Sequence, residues 1–464
     1  MNNITNYRIL ILGGGESGLG AAMLAKTLGY TVFVSDAGKL SQKNKDFFVK
    51  NKISFEENSH DLAKDFDADV VVKSPGIPDD AEIIKTLKRK KLEIISEIEF
   101  GYRYTRATLI AITGTNGKTT TSLLTYHILK TAGLNVILAG NVGKSFAAEV
   151  AKELQRKEYD NKNLIYVLEV SSFQLDGIKK FKPKIAVITN ISPDHLDRYD
   201  YKIENYVNSK FKIASNLDEN DYFIYGIDSE LIENKLLDFE TDATELPFSL
   251  YPDEFDGACG DEEGITIQFN GNEYYINCKE SVLKGEHNLY NTMAASLVAI
   301  CLGVEPTTVE KALKTFVNAP HRMQEVSKIK GVTYVNDSKA TNVDSAYYAL
   351  GAFNQPIIWI AGGVDKGNSY EKLIEVVKNK VKSLICLTKY DEKLRKTFTG
   401  IIPKIYTCQS MEDAVRLAHS LACDGDVVLL SPCCASFDIF NNYEDRGNQF
   451  EEAVNKLKNE LGDV

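Results

Sequence analysis

Lys118 lies in the run Ala111-Ile-Thr-Gly-Thr-Asn-Gly-Lys-Thr-Thr120, and the residue types around it are those that hold phosphate. Gly114 and Gly117 let backbone N–H groups close on phosphate oxygens, with Thr115 and Asn116 between them. Lys118 supplies a point charge, Thr119 can ligate Mg²⁺, and a helix opening at Lys118 to Thr120 favours an anion through its dipole. The common phosphate-loop pattern has a further glycine five residues before the Gly-Lys pair. That position is Ile112 here, so the loop is a variant. The bland alternative is a glycine turn with a solvated lysine. The apolar run Ala107 to Ile112 before the loop, and the helix-like run Thr121 to Lys130 after it, argue against that.

Other residues of the same chemical kind stand at the ends of apolar runs. Glu169 closes a run from Leu164 to Val170 and is followed by Ser171, Ser172 and Gln174. A glutamate in a buried strand is costly unless paired or bound to a metal. Ile185 to Thr189 leads into Asn190-Ile-Ser-Pro-Asp-His-Leu-Asp197. His195 alone would read as a surface histidine, but a triphosphate site needs Mg²⁺ ligands of this kind nearby. Near the N-terminus, Arg8-Ile-Leu-Ile-Leu-Gly-Gly-Gly-Glu-Ser-Gly18 is a strand entering a GxGxxG turn, with Gly15, Glu16, Ser17 and Gly18 at a helix start. The next strand, Thr31 to Ser35, ends at Asp36. Alone, this pattern reads as a nicotinamide site, with the acid on a ribose hydroxyl, but a lone GxGxxG is weak evidence. Ala68 to Val72 ends in Lys73-Ser-Pro-Gly-Ile-Pro78, a rigid turn that serves either chain reversal or ligand contact through Ser74 and Gly76.

These residues need strands and helices to carry them, and the chain supplies alternating ones. Its 464 residues exceed what one core organises, and three domains are expected. The blocks are 1–96, 97–318 and 319–464. In the last, Val332 to Val335, Ile357 to Ala361, Ser383 to Leu387 and Val427 to Ser431 read as strands. Helices are expected over Tyr370 to Lys378 and Met411 to Ala422, and a long polar helix closes the chain. The fold class is α/β, with doubly wound parallel sheets. A hydrophobic content of 44% with 26% charged residues is that of a soluble globular protein. The net charge of −11, with no basic block to offset it, argues against a nucleic-acid surface. No apolar run is long enough to span a bilayer and the N-terminus has no secretory pattern, so a cytoplasmic protein without membrane partners is expected. The eight cysteines are scattered with no CxxC pair, which reads as free thiols in a reducing compartment.

The order of motifs resembles the Mur ligases. The shared marks are Thr113-Gly-Thr-Asn-Gly-Lys-Thr-Thr120, Glu169, Asp194-His-Leu-Asp197, Gly285-Glu-His-Asn288 with Asn291, and His321-Arg322. Asn336-Asp-Ser-Lys-Ala-Thr-Asn342, Leu430-Ser-Pro-Cys-Cys-Ala-Ser-Phe-Asp438 and Asn442-Tyr-Glu-Asp-Arg-Gly447 resemble the D-glutamate-adding branch, as does Ser74-Pro-Gly-Ile77. Cys433 departs from the small residue common at that position. The resemblance implies a Rossmann-like N-terminal domain, a central P-loop ATPase domain and a Rossmann-like C-terminal domain. It implies ATP-dependent addition of D-glutamate to UDP-N-acetylmuramoyl-L-alanine by way of an acyl phosphate. Its glycine turn and Asp36 would then hold a UDP-sugar instead of NAD.

Roles carried over by resemblance are these. Lys118 would stabilise the γ-phosphoryl, and two Mg²⁺ ions would be held by Thr119, Glu169 and His195. Lys210 would be carbamylated and support the second metal. Asn141, Ser171 and Gln174 would contact the UDP-linked substrate. Asn288 and Asn291 would frame the adenine, and Arg322 and Asp337 would reach the triphosphate and ribose. Lys339, Thr341, Lys366, Ser436 and the backbone near Phe437 would grip D-glutamate. A monomer is expected. The alternatives are a folylpolyglutamate synthetase-like ligase, against which the N-terminal domain argues, and a non-catalytic nucleotide-binding module.

Overall fold

A computed structural model describes residues 7–156, 162–251, 256–365, 367 and 369–462. Three sheets carry the chain. The first has five parallel strands in the order Ser54–Glu57, Thr31–Asp36, Arg8–Leu12, Val70–Lys73, Glu93–Ser96. The Arg8–Leu12 strand lies at its centre because Ile9, Leu10, Ile11 and Leu12 are wholly buried. A strand apolar on both faces can be covered only by helices on both sides.

The second sheet has nine strands. Its parallel part runs Thr244–Ser249, Tyr222–Gly226, Ile185–Ile188, Thr108–Thr113, Ile165–Glu169, Val136–Gly140. The strand before the phosphate loop is central, flanked by the strands that lead to Asn190 and end in Glu169. Gly257–Gly260 pairs in parallel with Thr244–Ser249, and Gly264–Phe269 and Asn272–Asn277 then add antiparallel strands. This antiparallel extension departs from the expected all-parallel sheet. Its cause is local: Asn270 and Gly271, at φ +52° and +73°, make the two-residue turn that closes a hairpin.

The third sheet has six strands, ordered Gln324–Ile329, Val332–Asn336, Val427–Leu430, Ile357–Ala361, Val381–Leu387, Ile405–Cys408. All pairings are parallel except the edge strand Gln324–Ile329, which folds back through Lys330 and Gly331, again both at positive φ. The predicted helix at Tyr370 is a 3-10 turn, Glu371–Leu373, before the α-helix Ile374–Lys380. The helices Met411–Leu421 and Tyr443–Glu460 form as expected.

Contacts divide the chain into two compact units. One holds residues up to Ile191 together with Arg198–Phe316 and contains the first two sheets. The other holds Ser192–Asp197 and the chain from Val317 onward. Within the first unit, Glu99 joins the helix Glu97–Tyr102 to the segment that leads into the strand Ile185–Ile188. Its wholly buried carboxylate accepts the backbone N–H groups of Lys179, Lys180 and Phe181, each at 2.9 Å, and pairs with Arg103 at 3.0 Å.

Candidate active site

The phosphate loop is built where Thr108–Thr113 ends and the helix Lys118–Thr131 begins. Gly117 caps that helix in the left-handed region at φ +82°, and a Cβ there would lie 2.2 Å from Asn291 Oδ1. Gly114 stands at φ +147°, with Thr189 Oγ1 1.9 Å from the place a Cβ would occupy. Neither position accepts a side chain, so bare backbone faces the helix N-terminus. Asn190 and Thr189, at the end of the neighbouring strand, brace the loop. Thr115 N–H donates to Asn190 O at 2.8 Å, Asn116 N–H to Asn190 Oδ1 at 3.0 Å, and Thr189 Oγ1 to Asn116 O at 2.6 Å. Sequence reasoning passed over both residues, although they close an apolar strand beside the loop.

Lys118 Nζ donates to the carbonyls of Gly114 at 2.9 Å and Thr115 at 2.8 Å, so its charge sits over its own loop. Thr119 and Thr120 are buried in the first turn of the helix. Asn291 accepts from Thr121 Oγ1 at 3.0 Å and donates to Asn288 Oδ1 at 3.3 Å. The pair thus braces the loop from the helix Glu286–Cys301.

Glu169 ends the adjacent strand in register with Ile112 and is 2% exposed. Asn141 donates its side-chain amide to Glu169 Oε1 at 2.6 Å and its backbone N–H to Glu169 O at 2.8 Å. Lys210 is 1% exposed; its Nζ donates to Gly114 O at 2.6 Å and lies 4.5 Å from the centre of the Tyr206 ring. The geometry therefore sets Lys118, Thr119, Glu169, Asn141 and Lys210 at the same end of the sheet, past three neighbouring parallel strands. Among the described residues, no group of three or more His, Cys, Asp and Glu side chains is placed to hold a metal ion. A hydroxyl and one carboxylate beside a phosphate cradle is nonetheless the donor set Mg²⁺ takes, since it fills its remaining positions with water and phosphate oxygens.

His195 belongs to the Ser192–Asp197 segment of the C-terminal unit. Its backbone is left-handed at φ +53°. Its N–H donates to Asp194 Oδ1 at 2.9 Å, and its Nε2 lies 3.6 Å from Asp194 Oδ2. Asn342 Nδ2 donates to the same carboxylate at 3.3 Å.

In the N-terminal sheet, Gly15 caps the helix Glu16–Thr27 with no side chain over the helix end. Gly15 and Glu16 are exposed, Ser17 is half-buried and Gly18 is buried. Asp36 accepts from Gly14 N–H at 2.7 Å and Gly38 N–H at 2.8 Å, so its carboxylate shapes the turn itself. Ser74 Oγ donates to Gly13 O at 3.4 Å, which sets the Ser74–Gly76 turn against the glycine turn. Ser171 and Gln174 hold each other in a capping box around the short helix Ser172–Leu175.

At the strand ends of the C-terminal sheet, burial pushes the Asp337 carboxyl up to about 7, a rise the Arg322 charge opposes. Asp337 accepts from Ser431 Oγ at 3.0 Å and Met323 N–H at 3.2 Å. Lys339 is half-buried with its Nζ 5.2 Å from the centre of the Tyr443 ring, and the Thr341 N–H donates to Lys339 O. Ser436 is buried and Phe437 exposed. Lys366 lies outside the described residues. Sequence reasoning gave no role to Arg446, yet it gathers this end of the sheet. Wholly enclosed, its guanidinium donates to Ser338 Oγ and O at 3.0 and 2.8 Å, to Cys434 O at 3.2 Å and to Gly362 O at 3.4 Å.

Comparison with known proteins places this geometry. Residues 8–83 match the MurD N-terminal domain, 112–299 the Mur ligase middle domain, and 321–434 the Mur ligase glutamate ligase domain. The chain is 48% identical over 450 residues to the UDP-N-acetylmuramoylalanine–D-glutamate ligase of Christiangramia forsetii, covering 97% of this chain and 99% of that one. The chain belongs to the Mur ligase family. The enzyme of the same name from Bacteroides fragilis is 45% identical, over 97% of this chain and 100% of that one. That from Salinibacter ruber is 38% identical, over 98% and 99%. Among solved structures, UDP-N-acetylmuramate–alanine ligase from Thermotoga maritima shares the fold at a TM-score of 0.60 and 18% identity, covering 97% of this chain and 100% of that one. A MurF ligase from Thermotoga maritima, solved with ADP, does so at 0.58 and 16%, over 92% and 96%.

Proposed function

We propose that this chain joins D-glutamate to UDP-N-acetylmuramoyl-L-alanine at the expense of ATP. One observation carries the reading: neighbouring parallel strands deliver the Lys118 loop and Glu169 to the same sheet end, in register at Ile112 and Glu169. Such an arrangement suits phosphoryl transfer, and the named relatives, matched over nearly their whole length, carry the name of a D-glutamate ligase.

The substrate carboxylate is a poor electrophile. Attack by its oxygen on the γ-phosphorus of ATP releases ADP and leaves an acyl phosphate. The amine of D-glutamate then attacks the acyl carbon, loses a proton and expels phosphate. Lys118 and the loop N–H groups stabilise the charge that builds on the transferring phosphoryl. Mg²⁺ bound through Thr119 and Glu169, with His195 at a second ion, would neutralise phosphate charge and orient the carboxylate. Lys210 as an ammonium donates to Gly114 O. Carbamylation, adding CO2 to the neutral amine with loss of a proton, would turn that cation into an anion whose carboxylate oxygens suit a metal. Asn288 and Asn291 serve the adenine, and Arg322 and Asp337 the ribose and triphosphate. Gly15 to Gly18, Asp36, Ser74, Gly76, Asn141, Ser171 and Gln174 serve the UDP-linked substrate. Two carboxylates on D-glutamate suit Lys339, Thr341, Lys366 and Ser436, with the backbone at Phe437. The domain limits proposed are 1–96 for the UDP-substrate, 97–318 for ATP, and 319–464 for the amino acid and part of ATP.

Phosphate release from ATP, measured with each substrate omitted in turn, tests the reading. Release should require both UDP-N-acetylmuramoyl-L-alanine and D-glutamate, and D-alanine should be a poor replacement because it leaves buried donors unpaired. Equal turnover with D-alanine or L-lysine would overturn the D-glutamate assignment.

A further inference from the structure

The Ser74-Pro-Gly-Ile77 turn is held from two sides by basic side chains that no role above includes. Lys73, the last residue of its strand and 8% exposed, donates from Nζ to Ile77 O at 2.9 Å and to Asp79 Oδ1 at 2.7 Å. Arg198, which reaches the turn from the central domain, donates from its guanidinium to Pro75 O at 3.3 Å. Within the turn, Ile77 N–H donates to Ser74 O at 3.1 Å and Ser74 N–H to Leu12 O at 2.9 Å. The turn's remaining amide is Gly76 N–H, which is exposed and has no hydrogen-bond partner among the described residues.

Arg198 is itself fixed. Its guanidinium lies 4.5 Å from the centre of the Phe173 ring, and that ring stacks on Tyr199 at 5.9 Å and 11°. Tyr199 OH donates to Asp176 Oδ2 at 2.9 Å, and Lys212 pairs with the other oxygen of Asp176 at 2.6 Å. A planar cation over an aromatic face is attracted to it, and the stack limits the orientations open to the guanidinium. A continuous stack therefore runs from Asp176 through Tyr199 and Phe173 to Arg198, and ends on the carbonyl before Gly76.

We propose that Arg198 is a positioning residue for the UDP-linked substrate: it ties the Ser74–Ile77 turn to the central domain so that the Gly76 N–H is presented at a fixed place. Lys73 holds the far side of the same turn. The inference rests on the reading of that turn as part of the UDP-substrate site. Its energetic logic is preorganisation: a turn held in one shape gives its donor to an anion without first being ordered.

The test uses the full-length enzyme with steady-state kinetics for each substrate and calorimetric binding of UDP-N-acetylmuramoyl-L-alanine in the absence of ATP. Arg198→Ala should raise the KM and Kd for the UDP-substrate about tenfold, with the KM for ATP and for D-glutamate within about twofold of wild type. Arg198→Lys, which keeps a cation able to reach Pro75 O, should recover part of that loss. Phe173→Leu, which removes the stacking face and leaves Arg198 in place, should shift the same constant in the same direction. The inference is overturned if the UDP-substrate constant stays within twofold in Arg198→Ala, or if all three KM values rise together with a fallen Tm. Wild-type turnover on the UDP-substrate, measured in the same series, separates failure of this inference from failure of the functional reading.

Discussion

Lys118 shows how much of the chemistry rests on single side chains. Its ammonium already donates to two loop carbonyls, so those oxygens hold it at the helix start where the dipole also gathers phosphate. Lys118→Ala removes a charge that acts on the transferring phosphoryl, and one such donor is worth on the order of 3 kcal/mol or more. Turnover should fall by at least about a hundredfold, with the circular dichroism spectrum and Tm close to wild type. Activity within tenfold of wild type would remove Lys118 from the transfer step. At this scale the sequence was most readable where chemistry and strand ends coincide, as at Lys118 and Glu169. It was silent on Asn190, Arg198 and Arg446. The bonding of a loop asparagine or arginine is set by which strands become neighbours, and nothing in its local spacing records that.

The elements are joined by buried carboxylates, and one of them makes stability depend on pH. Glu97 begins the helix Glu97–Tyr102 and accepts from Ser145 Oγ at 2.5 Å and Ala147 N–H at 2.6 Å, at the start of the helix Phe146–Gln155. Burial pushes its carboxyl up to about 6 from 4.5, against the pull of those two donors. The folded state thus keeps a proton that the unfolded chain releases, so the contribution of Glu97 to stability falls as pH rises from about 4.5 to about 6 and changes no further above that. The span corresponds to roughly 2 kcal/mol. Glu97→Gln cannot release a proton, and denaturant titrations of this variant should show that slope flattened, while other groups keep their contributions. An unchanged slope between pH 4.5 and 6 would exclude Glu97 as its source. The element scale also explains the antiparallel extensions. Asn270-Gly271 was a readable hairpin signal and Lys330-Gly331 a weaker one, but βα alternation elsewhere in the chain masked short strands that turn back at once.

For the whole molecule, GxGxxG and Asp36 leave two ligand classes to be told apart by binding. Binding a ligand to the folded state raises Tm by mass action, which gives a direct test. Millimolar UDP, or UDP-N-acetylmuramoyl-L-alanine, should raise the Tm by several degrees, and NAD at the same concentration should not. A rise with NAD alone would restore the dinucleotide reading. The α/β class was legible because buried strands and helices alternate along the chain. The grouping of Ser192–Asp197 with the chain beyond Val317 was not, because residues so far apart in sequence share no local pattern. That discontinuity limits how such an enzyme can be recombined. A chimera made by a single cut before Val317 would take a foreign C-terminal unit but leave the native Asp194 and His195 behind, facing whatever the donor carries in place of Asn342. Grafting the second unit as a working module therefore takes two exchanges, one of them a short loop inside the other half of the gene.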